Sequence, residues 1–257
     1  MKKKSNRDTI SQLGITQILE NQEQIMKFLS SQFIHLISQN NELLKSIIYN
    51  NSIDSCEWLK YRNFSPGWFA VDYTFLYTLF RVLEGMKPES ILEFGLGESS
   101  KLIHQYANFH SEVFAVTGEH DAKWAEFFLD NMAIKYNINI KILELEDIVY
   151  KGENTLSYKN VEQEFKNNMF DLIIVDGPFG RGRKYARTQI LYLAKNNLKE
   201  KFCIIVDDYN REGEKNTVKD LMALLSADGR KFIHSVYYGS KQHILICSEN
   251  LKYLAIP

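Results

Sequence analysis

Ser90-Ile91-Leu92-Glu93-Phe94-Gly95-Leu96-Gly97-Glu98-Ser99-Ser100-Lys101-Leu102-Ile103 joins a β-type apolar run to a helical one through two glycines. A short apolar strand runs into a turn with two glycines, and a helix follows for which Ser99 or Ser100 is a suitable N-cap. Gly95 and Gly97 give the turn backbone freedom, and their missing side chains let a ligand lie against it. The first turn of the helix offers unpaired N–H groups to an acidic ligand. Many strand-to-helix turns need Gly-x-Gly, so the order of the surrounding elements carries the argument.

Downstream, apolar runs alternate with helical segments. Glu112–Val116 reads as a second strand that leads through Thr117-Gly118 to the acidic turn Glu119-His120-Asp121. Trp124, Phe127, Phe128 and Met132 give the next helix its buried face, and Ile138–Leu143 alternates like a third strand. Residues 144–168 are polar and read as a loop with a short helix. Phe170–Val175 is the kind of run found in a strand covered on both faces, and it ends in Asp176-Gly177-Pro178-Phe179-Gly180. A fifth strand, Phe202–Val206, ends in Asp207-Asp208-Tyr209-Asn210-Arg211. Two closing runs, Phe232–Tyr238 and His243–Cys247, are separated only by Gly239-Ser240-Lys241-Gln242. That gap is too short for a parallel crossover, so these two strands must form a hairpin.

Upstream, Asn63-Phe64-Ser65-Pro66-Gly67 is a turn, and Asp72 starts a helix running to about Glu84. From Ile15 to Ile48 apolar residues recur at helical spacing without Gly or Pro, which predicts one long helix or two collinear ones. Its stripe is suited either to the chain's own domain or to a partner helix in a homo-oligomer. A spacing that drifts between about 3.5 and 3.6 residues does not choose between them. The chain thus divides into an N-terminal helical segment, 1–50, and a domain spanning 51–257.

With 257 residues, 45% of them hydrophobic, the chain can bury one large core. A formal net charge of −1 argues against a dedicated nucleic-acid binder. No apolar run approaches the roughly 20 residues of a membrane span. Met1-Lys2-Lys3-Lys4 is not followed by the apolar stretch of a signal peptide. Cys56, Cys203 and Cys247 make neither a ligand spacing nor a disulfide framework. The chain reads as cytoplasmic.

Five alternating strands followed by a hairpin differ from the six parallel strands of dinucleotide-binding domains. The pattern resembles the class I S-adenosylmethionine (SAM)-dependent methyltransferases, whose α/β, Rossmann-like sheet has seven strands, the last inserted antiparallel beside the fifth. The resemblance covers roughly residues 65–250. It implies SAM as cofactor, with Glu93, Gly95 and Gly97 matching a Glu-x-Gly-x-Gly motif and Ser99, beside Ser100, standing where a third glycine is often found. It also implies an acidic ribose ligand after the second strand. Glu119 suits that role because its two oxygens can accept both hydroxyl protons, with Asp121 as the alternative. The adenine site should follow the third strand, where Glu144, Glu146 and Asp147 compete.

Asp176, Asp207 and Asp208 lie at the ends of neighbouring strands, where α/β enzymes bind ligands. Three converging carboxylates without fixed cations repel one another, and Mg²⁺ or Mn²⁺ relieves that. The alternative is that one aspartate caps a helix and another binds Arg or Lys. Catechol-type and macrolide-sugar O-methyltransferases carry similar acids. A closer likeness is to the glucuronoxylan 4-O-methyltransferase type and its bacterial relatives in surface-polysaccharide pathways. Phe94-Gly95-Leu96-Gly97, Glu119-His120-Asp121, Val175-Asp176-Gly177-Pro178-Phe179-Gly180 and Asp208-Tyr209-Asn210-Arg211 with Glu214-Lys215 carry it. Where the macrolide-sugar enzymes have a further Asp, this chain has Pro178.

The resemblance implies O-methylation of a sugar hydroxyl in an anionic or nucleotide-linked glycan precursor, with Asp176 and Asp208 catalytic. Arg181, Arg183, Asn210 and Arg211 would meet the acceptor, since guanidinium groups grip carboxylate or phosphate with paired hydrogen bonds. Lys184 and Arg187 suit a solvated helix face equally well. Two rival readings are a small-molecule N-methyltransferase, which needs no metal, and a SAM-fold assembly subunit without catalysis.

Overall fold

The computed structural model describes residues 2–67, 70–132, 137–180 and 182–256, with side chains from Thr16 onward. In chain order the elements are α1 (Lys2–Ser52), α2 (Tyr73–Met86), β1 (Ser90–Phe94), α3 (Glu98–Phe109), β2 (Phe114–Glu119), α4 (Ala122–Asp130) and β3 (Ile140–Ile142). Then come β4 (Leu145–Tyr150), β5 (Glu153–Tyr158), α5 (Val161–Glu164), β6 (Phe170–Val175), α6 (Gln189–Asn196) and β7 (Leu198–Val206). The chain closes with α7 (Glu212–Ala227), β8 (Phe232–Tyr238), β9 (Gln242–Ser248) and a 3₁₀ segment, Glu249–Ala255.

Seven strands form one sheet in the order β3-β2-β1-β6-β7-β9-β8. β1 pairs in parallel with β2 and β6, and β6 with β7. β9 lies antiparallel to both β7 and β8, as the short Gly239–Gln242 connection requires. Every residue of β6 is buried because helices cover both faces. Leu172 and Ile174 face the core shared with α2 and α3, while Phe170, Ile173 and Val175 face that of α6 and α7. Asp72 does start a helix: its Oδ1 accepts the Phe75 N–H at 2.9 Å as the N-cap of α2.

Three departures from the sequence reading bear on the elements around the cleft. Residues 144–168 contain a β-hairpin, β4–β5, besides the short helix α5. Its tight turn, Lys151-Gly152, has both residues at positive φ, a geometry that matches strand twist. The cap of α3 is Gly97, and Ser99 and Ser100 lie inside the helix. β2 runs on to Glu119, because Thr117 and Gly118 still pair with Glu93 and Phe94.

Gly118 is small for a packing reason. A Cβ there would meet Leu143 Cδ1 at 2.9 Å and Phe94 Cδ1 at 3.1 Å, both on buried side chains. Gly118→Val should therefore destabilise the domain by about 1–3 kcal/mol through overpacking, read as a lower urea midpoint with unchanged slope.

Candidate active site

At the C-terminal ends of β1, β2, β6 and β7 lies a cleft of about 580 Å³, a volume in the range of small-molecule sites. The Gly95–Ser99 turn, Glu119, His120 and Asp121 line one part, and Asp176, Arg187, Asp208 and Arg211 line another. Ser65, Ala70 and Val71, just before α2, also line it.

The turn is built to stay open. Gly95 has φ +97°, and a Cβ there would lie 3.0 Å from the Asp176 carbonyl oxygen, so only glycine suits it. Gly97 is extended, and a Cβ on it would meet nothing within 4 Å. Its missing side chain leaves space in the cleft rather than relieving strain.

Behind the turn, Glu93 is fully buried and lines no part of the cleft. Its carboxyl accepts hydrogen bonds from Ser99 Oγ (2.6 Å), Ser100 Oγ (2.6 Å) and Thr117 Oγ1 (2.8 Å). Ser100 Oγ also accepts the Gly97 N–H at 2.9 Å. Glu93 and Ser100 thus shape the turn from beneath, while Ser99 also reaches the cleft. Glu119 holds the other wall: Oε2 accepts the Leu96 N–H at 2.9 Å, and Oε1 accepts those of His120 and Asp121. A carboxylate has about four acceptor sites, so one on Oε2 stays open for a ligand hydroxyl. Asp121 caps α4 by accepting from Lys123 and Trp124 N–H, which occupies its Oδ1.

Parallel pairing continues past β6 and β7, with Asp176 N–H bonded to the Phe94 carbonyl and Asp207 N–H to that of Val175. One oxygen from each of Asp176, Asp207 and Asp208 lies within 4.8 Å of the others. Arg187, only 3% exposed as a side chain, ties this cluster together. Its Nη2 donates to Asp208 Oδ2 (2.7 Å) and Asp176 Oδ1 (3.2 Å), and Nη1 to the carbonyls of Val175 and Asp207. Lys241, from the β8–β9 turn, donates to Asp207 Oδ2 at 2.9 Å. Arg211 lies 2.7 Å from Asp208 Oδ2, and buried Glu214 stands 3.7 Å from Arg187 Nε.

Four carboxylates therefore face three cations. The imbalance falls on two of them: burial, with Asp207 beside it, pushes the Asp176 carboxyl well above the ordinary range against the pull of Arg187 and Lys241, and burial also raises that of Glu214. The Asp176 side chain remains 18% exposed, towards the cleft. Asp208 Oδ1 and the Tyr158 hydroxyl are buried without a hydrogen-bond partner, and both residues line the cleft. Arg187 and Asp208 adopt φ of +59° and +58°, strained values for residues with side chains, and both belong to this cluster.

The expected reason for a divalent ion was the lack of fixed cations. Arg187, Arg211 and Lys241 supply them, so the donor set fits an ion-paired cluster better than a Mg²⁺ or Mn²⁺ site. This is the alternative in which an aspartate binds Arg or Lys. Arg187 is accordingly a buried pin and not a solvated face. Lys184 does lie on the surface, paired with Glu153 at 2.8 Å.

Arg211 reaches both the cleft and a side cavity of about 400 Å³, which Arg183 also lines. Asn210 is exposed and lines neither. Arg181 lies outside the described residues. Glu144, Glu146 and Asp147 do not border the cleft; Trp124, Phe128 and Phe179 do. Trp124 was expected on a buried face, yet it is 40% exposed there, with its indole N–H bonded to the Leu96 carbonyl at 2.8 Å.

No protein-family model matches the chain, and no curated protein does. Among solved structures, a candidate caffeoyl-CoA O-methyltransferase from Staphylococcus aureus aligns over 82% of this chain and 100% of its own, with TM-score 0.50 and 14% identity. The fold is a methyltransferase fold. An O-methyltransferase from Bacillus cereus in complex with SAH aligns over 83% and 93% (TM-score 0.44, 17% identity). A further O-methyltransferase candidate from Klebsiella pneumoniae aligns over 66% and 79% (TM-score 0.44, 16% identity).

The buried network behind the turn has a pH signature. Burial pushes the Glu93 carboxyl up to about 7, outweighing the hydroxyl groups of Ser100, Ser99 and Thr117 that lower it. From its ordinary 4.5 up to about 7, the folded protein holds a proton that the unfolded chain has lost, so this group's contribution to stability falls as pH rises. Burial moves His104 and His243 down to about 4, and they act in the opposite sense between pH 4 and 6.5. Glu93→Gln should remove only the falling contribution. Its stability relative to the parent should rise by about 3 kcal/mol between pH 4.5 and 7 and then stay level. Urea titrations at stepped pH would show this; parallel curves for the two proteins would refute the assignment.

Proposed function

We propose that the chain is a SAM-dependent O-methyltransferase whose acceptor is a hydroxyl on an anionic sugar or nucleotide-linked glycan precursor. One observation carries this reading: the glycine turn and Glu119 open onto the same cleft as a raised-pKa carboxyl, Asp176. SAM supplies an activated methyl group when bound. The Gly95–Ser99 turn and the first N–H groups of α3 would hold its carboxylate end, and the free position on Glu119 would take a ribose hydroxyl. Trp124, Phe128 and Phe179 would flank the base.

Asp176 is the group that removes the acceptor's proton. A base works best with a pKa nearer the working pH than that of an ordinary carboxylate, and burial moves Asp176 in that direction. Arg187 keeps Asp176 and Asp208 in place, and Asp208 Oδ1, which accepts no hydrogen bond and has Lys241 Nζ at 4.0 Å, would accept one from an acceptor hydroxyl. Arg183, Lys184 and Arg211 outnumber Glu212 and Glu214 in the lining of the adjoining cavity, which supports an anionic acceptor. The glycan class itself rests on the motif resemblance to the glucuronoxylan and surface-polysaccharide enzymes.

Gly97→Val tests the cofactor site. Its side chain would enter open cleft and not the core, so the melting temperature should hold while SAH binding by calorimetry is lost. Undiminished affinity would reject the site.

Asp176→Asn tests the base. Turnover on uronic-acid or nucleotide-sugar acceptors should fall by about 10²-fold or more with SAH affinity retained. In the parent enzyme kcat should decline as pH drops through the raised Asp176 pKa, because the protonated carboxyl cannot accept a proton. EDTA should leave turnover unchanged, and loss restored by Mg²⁺ or Mn²⁺ would return a divalent ion to the mechanism. Absence of both SAH binding and methyl transfer would overturn the enzymatic reading in favour of an assembly subunit.

A further inference from the structure

Helix α1 spans 51 residues, about 76 Å at 1.5 Å per residue. Among its described side chains those that meet the domain lie in its C-terminal part, and they are chiefly polar, with the ring of Tyr49 packed against Phe64, Tyr73 and Phe80. Ser38 Oγ donates to the Gly239 carbonyl, Glu42 accepts from the Tyr73 and Thr74 N–H groups, Lys45 lies over the Tyr77 ring and Tyr49 is buried. At 100° per residue these four lie on one side of the helix. Ile18, Ile25, Leu29, Phe33, Leu36 and Ile47 lie on the other, and they are between 51% and 64% exposed. The domain has bound the polar face of α1 and left its apolar face bare.

The bare face has the size of an interface. Half-exposed side chains of this kind present on the order of 1,000 Å² of apolar surface per copy, above the roughly 800 Å² per partner of a standard interface. Monomers ordinarily leave patches of only a few hundred Å².

The order of residues along the stripe identifies its occupant. The pattern is palindromic about Ser31. Pairing residue i with residue 62 − i sets Ile18 against Leu44, Leu19 against Leu43, Ile25 against Ile37, Met26 against Leu36 and Leu29 against Phe33. The two amides that interrupt the stripe, Gln22 and Asn40, fall opposite each other and can exchange hydrogen bonds, as buried amides do where they fix helix register. Between residues 16 and 48 the charges are Glu20, Glu23, Lys27, Glu42 and Lys45. Glu42 and Lys45 face the domain, and Glu23 pairs with Lys27 at 2.7 Å, so little like-charge repulsion opposes a second copy. A parallel pair would bring two Lys2-Lys3-Lys4 clusters together, which an antiparallel pair avoids. Between residues 16 and 48 the helix carries only Lys27 and Lys45 as cations, which does not match a stripe lying on an anionic membrane.

We infer that the apolar face of α1 pairs antiparallel with the same face of a second copy, making a two-fold dimer centred on Ser31. Light scattering on the full chain at tens of micromolar should give twice 30.0 kDa, and Leu29→Glu/Phe33→Glu should give 30.0 kDa with SAH affinity and domain melting unchanged. In a Cys56→Ser background, Ile25→Cys/Ile37→Cys should form an inter-chain disulfide under mild oxidation, while neither single cysteine variant should. A full chain of 30.0 kDa, or a mass unmoved by the glutamates, would overturn the dimer. Cross-linking of Ile25→Cys alone would overturn the antiparallel arrangement. Flotation of a monomer with phosphatidylcholine–phosphatidylglycerol vesicles would give the face to lipid instead.

Discussion

The guanidinium of Arg187 holds the ends of two strands, two carboxylates and the Pro178 carbonyl in one geometry. Buried charges persist only when paired and hydrogen-bonded, and here every hydrogen-bond partner is supplied by the ends of β6 and β7 or by the loops that follow them, with Glu214 of α7 as a further counter-charge. Removing that cation would leave Asp208 and Glu214 buried with the half-exposed Arg211 as their nearest counter-charge. The cluster converts the C-terminal end of two central strands, where backbones ordinarily diverge into loops, into a fixed wall of the cleft. The left-handed backbone at both Arg187 and Asp208 is the conformational cost of bringing those side chains together.

A second network works on the other wall. Glu93 is fully buried beneath the glycine turn and Glu119 lies at its side, and between them they accept hydrogen bonds from residues on β2, α3 and the turn itself. The two walls are linked through β1, whose Phe94 carbonyl receives the Asp176 N–H and whose ring stacks on Tyr158 from the β4–β5 hairpin, 5.1 Å between centroids. A carboxylate at each strand end thus has a different duty. Glu93 shapes the turn, Glu119 holds a loop and keeps one acceptor position, and Asp176 retains exposure and a raised pKa. Burial and the number of donors each receives set these roles apart.

α1 follows another logic. Its own domain satisfies Ser38, Glu42 and Lys45, which interact through directed polar contacts, and leaves the non-directional apolar stripe to solvent. The dimer that this face supports would project from the side of the domain carrying α2, with the cleft at the ends of β1, β2, β6 and β7.

Local patterning alone determined much of this protein. The apolar runs marked the main strands, the four-residue gap forced the last hairpin, and Asp72 was legible as a cap, because period, chain reach and capping chemistry act between near neighbours in sequence. The same patterning located Gly95, Gly97, Glu119, Asp176 and Asp208 at strand ends. It missed β4–β5, because β4 carries Leu145, Ile148 and Val149 out of strict alternation on a half-exposed strand, and β5 buries the polar Thr155 and Ser157 beside Leu156 and Tyr158. It missed the buried state of Arg187, since an Arg in a basic run looks like any solvated cation until two distant strand ends close around it. Lys241 had a signal that went unused: a strand inserted antiparallel beside β7 must begin at the end where Asp207 lies. Which face of α1 the domain takes was decided only by tertiary structure, because it depends on donors and acceptors that α2 and the β8–β9 turn present across more than 30 residues of chain.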